Sequence, residues 1–287
     1  MRKRLIYMVL AVVLVVSLLA GCGNQDSETT NDSSGEVTTD ELQDGTYLVK
    51  DPVSDHGNYG MAKMEVVGGE VSTFEYVEIL ADSGDEKDEN NYNYPEGLEV
   101  IKNLNEQFNE TKDLNEVDFD AISGATSTKE NFQRIVNKLY AKASEGDIYE
   151  PVYEDGVYTA EAEEDSHGWL GEVKVVVKDG QIVGLDYCET AIEDMESSRV
   201  VFDEDGKEVM DDEGKPVTET VQVSAGEEKS PENYAYMDSF EVINQMQKSL
   251  IDNNGTENLD VDSITGATNT RSTIVELVDK ALEDAKL

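Results

Sequence analysis

The chain is 287 residues long, carries 64 acidic side chains against 22 Lys and Arg, and has a formal net charge of −42. A charge of that sign and size excludes nucleic acid as a partner, because such binding rests on clustered Lys and Arg, and it disfavours direct attraction to anionic lipid. It is consistent with solubility at a crowded surface, and no loop has the ligand spacing of a dedicated calcium site.

The N-terminus reads as a targeting segment. Arg2, Lys3 and Arg4 precede an apolar run from Leu5 to Ala20, and Leu19 to Cys22 reads "LAGC". The run is short for a bilayer span and closes on small residues, which predicts a signal peptide over 1–21. The closing sequence resembles a bacterial lipobox. That resemblance implies that Cys22 becomes the lipidated first residue and anchors an extracytoplasmic protein to the cell membrane. With Cys22 used in this way only Cys188 is left, so the mature chain has no internal disulfide and relies on hydrophobic cores. Cys188, in the expected strand "GLDYCET", is predicted to be a small core residue. Residues 22–42 are mostly polar and aperiodic, and predict a flexible tether.

From there the chain repeats itself. "DGTY" at Asp44 returns as "DGVY" at Asp155, "DHGNYG" at Asp55 as "SHGWLG" at Ser166, and the turn at Gly68 and Gly69 as Asp179 and Gly180. The only two histidines, His56 and His167, fall at equivalent places. An insertion around 200–218, turn-rich and charged from Phe202 to Val217, predicts an exposed hairpin in the second copy. The pairing resumes with Asn93 and Tyr94 against Asn233 and Tyr234. The expectation is two tandem domains of one fold, 43–146 and 150–287, each long enough for its own core.

Within each copy the pattern predicts three strands and two helices. The strands are expected over 47–50, 61–67 and 71–79, then over 157–162, 172–177 and 181–187, with hairpins at the Gly-Gly and Asp-Gly turns. A first helix carries Ile101, Leu104 and Phe108, matched by Ile243, Met246 and Leu250. A second carries Phe132, Ile135, Val136, Leu139 and Tyr140, matched by Ile274, Leu277, Val278, Ala281 and Leu282. Such stripes are the buried faces of helices. The predicted class is α+β: a small antiparallel sheet packed with helices, present twice.

Just before each second helix stands a near-identical heptapeptide, "DAISGAT" from Asp120 to Thr126 and "DSITGAT" from Asp262 to Thr268. A helix start presents unpaired N–H groups and the positive end of the dipole, which suits a phosphate. Gly124 and Ala125, like Gly266 and Ala267, leave room for a bulky group to approach the backbone. Ser123, Thr126 and Thr128 offer hydroxyls, as do Thr265, Thr268 and Thr270, and a cation follows in both copies, Lys129 and Arg271. The plain structural alternative is a capped helix start, for which Ser127 and Glu130 have capping-box spacing.

The Asp-x-x-Ser/Thr-Gly-Ala-Thr pattern resembles the flavinylation motif of the FMN-binding domain family. That family includes the C and G subunits of sodium-pumping and Rnf-type respiratory complexes, and flavin-carrying lipoproteins of Gram-positive extracellular electron transfer. The resemblance implies two covalent FMN groups, moved by a flavin transferase from FAD onto Thr126 and Thr268 as phosphoesters, with Thr128 and Thr270 as alternatives. It implies that Asp120 and Asp262 are read by the transferase. Together with the lipobox it implies an electron carrier between a membrane redox donor, such as a quinone-linked dehydrogenase, and extracellular acceptors. Tyr59 and Trp169, in the two His-Gly loops, are candidates to stack on the flavin ring, and His56 and His167 to bond the ring or phosphate, or else to order their loops. The dense negative charge is expected to lower the flavin potential. Two other readings stay open: a noncovalent flavin or phosphate-ligand binder, and a cell-wall interaction lipoprotein. The sequence offers no metal site and no catalytic triad, and so reads as a carrier rather than an enzyme with its own substrate.

Overall fold

The computed structural model describes residues 41–287; the expected signal peptide, Cys22 and the tether up to residue 40 lie outside the described residues. β1 (Gly45–Lys50), β2 (Asn58–Val67) and β3 (Glu70–Leu80) form an antiparallel sheet in the order β1-β2-β3. The helices α1 (Pro95–Thr111) and α2 (Thr126–Glu145) follow, with a short 3-10 turn at Leu114–Glu116 between them. The same succession then recurs as β4 (Gly156–Glu161), β5 (Trp169–Lys178), β6 (Gln181–Ala191), α3 (Asp238–Asp252), a 3-10 turn at Val261–Ser263 and α4 (Thr268–Ala281). Only the second half has β7 (Met195–Val200) and β8 (Thr218–Val223), which pair with each other. Among the described residues no helix is long and apolar enough to cross a membrane.

The hairpins form where the sequence requires left-handed backbone. Gly68 and Gly69 have φ of 66° and 79°, and Asp179 and Gly180 have φ of 50° and 69°. Such a pair of positive φ values matches the twist of the flanking strands. The "DGxY" starts serve these turns. Asp44 accepts from the N–H of Gly69 at 2.8 Å and Asp155 from that of Gly180 at 2.7 Å. Tyr47 and Tyr158 each donate to a carbonyl four residues earlier at 2.8 Å.

Each sheet buries one face under its own helices. Tyr47, Met64, Phe74 and Tyr76 lie on that face of the first sheet and meet Leu104, Phe108 and Phe132, with Phe74 and Phe108 centroids 4.3 Å apart. The stripes on α2 and α4 are buried as expected, and on α1 and α3 Leu104, Phe108, Met246 and Leu250 are too, but the first position of each stripe is displaced by one residue. Val100 and Val242 are buried there, while Ile101 and Ile243 are only partly so. Positions 100, 104 and 108 stack along one line of the helix at four-residue spacing, and they set its rotation.

The opposite face of the first sheet is also apolar. Strand alternation puts Leu48, Tyr59, Met61, Val77 and Ile79 there, in one cluster with Val176, Val183 and the second core. The Tyr59 hydroxyl donates to the Val183 carbonyl at 2.7 Å, and Lys50 donates to the carbonyls of Ile182 (3.0 Å) and Ile251 (2.6 Å). The backbones meet most closely at Gly184, where an added Cβ would lie 2.3 Å from the Gly84 nitrogen. The two halves are thus packed as one body, back to back.

The insertion is larger and more ordered than the sequence implied. Equivalent residues are 111 apart at Glu78 and Glu189 and 142 apart at Lys87 and Lys229, so the second half carries 31 extra residues. The β7–β8 ribbon runs from Met195 to Val223 and ends in two Asp-capped loops, at Asp203 and Asp211. Val201, Val209 and Val217 close a ring of three backbone hydrogen bonds of 2.7–2.9 Å between these loops.

Replacing Tyr59 with Phe leaves the Val183 carbonyl without its buried partner. Urea unfolding is expected to show a loss of about 1–3 kcal/mol, the cost of an unsatisfied buried group. A variant as stable as the parent would show that this hydroxyl does not hold the halves together.

Candidate functional site

The two heptapeptides adopt the same unusual backbone. Gly124 and Ala125 have φ of 81° and 42°, and Gly266 and Ala267 have φ of 94° and 36°. Glycine accepts this region freely, whereas alanine is strained there by about 1–2 kcal/mol. The consecutive left-handed residues swing the chain straight into α2 and α4, for which Ala125 and Ala267 are the N-caps. An alanine has no side chain to cap with, and neither helix has a side-chain cap bond. The capping box expected from Ser127 and Glu130 therefore does not form, because the helix begins one residue before Ser127 can act as its cap. The first-turn N–H groups of both helices have no side-chain cap to satisfy them.

Exposure sorts the hydroxyls. Thr126 and Thr268 are exposed at the first helical position, as are Ser123 and Thr265 just before it. Thr128 is buried and Thr270 half-buried, so both hydroxyls are less accessible than those of Thr126 and Thr268. Asp120 and Asp262 are exposed and point to no partner within the heptapeptide. Ile122 and Ile264, at the same motif position, are buried and pin each loop to the core, a role the sequence reading missed. Lys129 and Arg271 brace the loop rather than standing free. Lys129 donates to the carbonyls of Phe119 (3.3 Å) and Ile122 (3.0 Å), and Arg271 to that of Val261 (2.5 Å) and to Thr268 Oγ1 (3.4 Å).

In the second half an open cleft of about 1450 Å³ lies beside this helix start. Its lining brings together His167, Trp169, Gly266, Ala267 and Thr268 from the expected set, while Thr265 and Asp262 stay outside it. His167 is exposed and has a left-handed φ of 57° in a tight turn closed by Ser166 and Trp169. His56 is exposed at the matching turn of the first half. Tyr59 is not at a cofactor site: it is buried between the halves, so its ring is unavailable for stacking. The local pattern of the His-Gly loop did not reveal this, because strand alternation sends Tyr59 to the opposite face from Gly60. Gly171 lines the cleft, and a side chain there would meet the Tyr187 hydroxyl at 2.8 Å.

The cleft floor holds a network that sequence reasoning passed over. Tyr187 donates to Glu189 at 2.8 Å, Glu189 pairs with Lys229, and the Lys229 ammonium lies 4.2 Å from the Tyr234 ring centre and 5.0 Å from that of Trp169. The first half repeats it. Tyr76 donates to Glu78 at 3.2 Å, Glu78 pairs with Lys87 at 2.7 Å, and Lys87 lies 4.3 Å from the Tyr92 ring centre. Tyr92 and Tyr94 pack with centroids 5.4 Å apart, as do Tyr234 and Tyr236. The structure therefore matches Tyr92 with Tyr234 and Asn91 with Asn233, correcting by two residues the register read from the two Asn-Tyr pairs. Asn91 and Asn233 confirm it, each donating to the carbonyl of the residue before the lysine at 2.8 Å.

An uncapped helix start for a phosphate, a neighbouring hydroxyl, and aromatic walls for a flat ring fit a flavin mononucleotide. Residues 168–283 match the FMN-binding domain family. The matched span takes in Trp169, the Glu189–Lys229 pair and Thr268. Among solved structures the chain is similar to the CPE2226 protein of Clostridium perfringens, at 25% identity over 38% of this chain and 93% of that one, with a TM-score of 0.34. No curated protein matches it. The insertion adds a wall to this cleft: Met195, Ser197, Val200, Glu208 and Pro216 line it. Val223 and Ala191 pack with Trp169 behind it.

Cys188 lies half-buried on the outer face of β6, not in the core as expected. Burial, then the carboxylates of Glu228, Asp186, Glu172 and Glu189, push its thiol up to about 11. It stays protonated and unreactive near neutral pH.

Ala125→Gly and Ala267→Gly exchange left-handed strain of about 1–2 kcal/mol for about 0.4–1 kcal/mol of added unfolded-chain entropy. Each variant is expected to gain up to about 1 kcal/mol in denaturant unfolding. A loss would mean that the left-handed turn is not strained.

Proposed function

We propose that this protein is a membrane-anchored, extracytoplasmic electron carrier with two covalently bound FMN groups, one on Thr268 and one on Thr126. The observation that carries the reading is the repeated left-handed Gly-Ala turn, which leaves a threonine exposed at the start of a helix without a side-chain cap in both halves. The family match supports the second site. The first is supported by the same element order, the same turn and the same Tyr-Glu-Lys-Tyr network.

In the attachment step a flavin transferase directs the threonine hydroxyl oxygen at the FMN phosphorus of FAD. A Thr–O–P bond forms, the P–O bond to AMP breaks, AMP leaves, and the hydroxyl proton passes to solvent. Asp120 and Asp262, exposed four residues before the Gly of each motif, are accessible to such a transferase. The uncapped helix start would direct its N–H dipoles toward a phosphate bound there. The backbone at Gly124 is open, with nothing within 4 Å of where a Cβ would stand. Tyr234 and Tyr236 line the second cleft with the edge of the buried Trp169, and the exposed His167 is among its lining residues. Bound FMN supplies the one- and two-electron redox chemistry, which the protein positions and tunes.

Outside the cell a dissociated cofactor is lost by diffusion, and an ester bond prevents that loss. Lipidation at Cys22 would keep the carrier beside a membrane donor such as a quinone-linked dehydrogenase, from which it would pass electrons to extracellular acceptors.

Coexpression with a flavin transferase, followed by denaturation and intact-mass measurement, tests the reading. Two FMN units are expected on the parent, one on each of Thr126→Ala and Thr268→Ala, and none on the double variant. Flavin that separates on denaturation would establish a noncovalent binder instead, and a colourless, unmodified chain would sink the carrier. For the anchor, Cys22→Ser is expected to move the protein from the membrane fraction to the soluble one, and retention at the membrane would refute lipidation at that residue.

A further inference from the structure

The cleft floor contains a buried ion pair that attachment does not use. Glu189 and Lys229 side chains are each 9% exposed, and Glu78 and Lys87 are 6% and 4% exposed. The first pair spans 40 residues of chain and the second only 9. The 31-residue insertion falls between the two partners in the second half, yet the contact is unchanged. A turn that merely brought neighbours together would not survive such an insertion, so the pair is held by the site and not by chain proximity.

Stability does not account for it either. A buried ion pair replaced by apolar residues of similar volume is often neutral or stabilising. Its arrangement has a direction. The carboxylate is tied back to the strand by Tyr187, or by Tyr76 in the first half. The ammonium faces the aromatic rings, Trp169 and Tyr234 or Tyr92. In the second half this places the positive end of the pair toward the cleft wall, in a lining where carboxylates outnumber the two lysines, Lys229 and Lys280. Lys280 is half-exposed and solvent-screened, whereas Lys229 acts in a low-dielectric setting where its field is stronger.

We propose that Glu189–Lys229 sets the reduction potential of the flavin bound in the adjoining cleft, and that Glu78–Lys87, the same arrangement in the first half, does so for the flavin on Thr126. The ammonium favours the more negative, reduced state of the cofactor and the carboxylate opposes it. In a chain of net charge −42 the pair supplies a local counterweight to the surrounding acid. Lys229 and Glu189 are positioning residues for charge, and they need no contact with the phosphate.

The inference rests on the covalent-flavin reading, and one experiment separates the two. The full chain carrying Thr126→Ala is flavinylated at Thr268 alone, its intact mass is recorded, and its midpoint potential is measured by spectroelectrochemistry. The covalent bond keeps the flavin in place whatever a variant does to affinity. Lys229→Met is expected to lower the potential and Glu189→Gln to raise it, each by at least about 30 mV, a tenfold change for a two-electron couple. The double variant is expected to return toward the parent. A purely structural role would shift both single variants the same way, and that result, or no shift, overturns the proposal while leaving the carrier intact. Absence of flavin from the parent's mass overturns the carrier and this proposal with it. Where a single variant does not fold, Lys87→Met and Glu78→Gln in the Thr268→Ala chain give the same test with the same expected signs.

Discussion

Two consecutive residues with positive φ stand at the hinge of each site, and the second of them is alanine. A helix that begins from such a turn has no side chain in the capping position, so its first N–H groups keep their hydrogen-bonding capacity and their share of the dipole. The same turn lifts the next residue, a threonine, out into solvent. The buried Ile122 and Ile264 hold the loop down on one side, and the bonds from Lys129 and Arg271 brace it from the helix. A strained backbone persists where its surroundings over-determine it, and these are the surroundings.

The cleft follows from how the sheet is used. Each sheet packs its helices on one face, and the end of that face near Gly171 is kept clear of side chain so that Tyr187 can occupy it. Tyr187 in turn orients Glu189, Glu189 holds Lys229, and Lys229 lies against the Tyr234 ring. A chain of contacts thus runs from the strand to the aromatic wall. The back face of the first sheet is committed to the other half, where Tyr59 and Lys50 bond its backbone. The shared core leaves the halves no freedom to swing apart, so any reach toward a partner belongs to the whole body and not to one half of it.

The halves differ where the insertion enters. In the second half the β7–β8 ribbon stands beside the cleft and packs on Trp169. The first half has Asn58 at the position equivalent to Trp169 and no such ribbon. The same Tyr-Glu-Lys-Tyr network therefore has different surroundings in the two halves, with the ribbon beside it only in the second.

Local chemistry in the sequence was enough to place the strands, the two hairpin turns and the stripes on α2 and α4, because alternation, paired positive-φ residues and helical periodicity act over a few residues. The duplicated heptapeptide marked the helix start and the exposed threonines for the same reason. Burial of Tyr59 lay beyond it, since which face of a strand is covered by a second sheet depends on the docking of distant segments. The pairing of Tyr92 with Tyr234 was hidden by an insertion whose length no local rule fixes. The Glu189–Lys229 contact spans 40 residues and exists only because β6 and the segment before α3 come to the same wall. Residue spacing determines local backbone and exposure, whereas the meeting of two charges across a core is decided by the packing that closes around them.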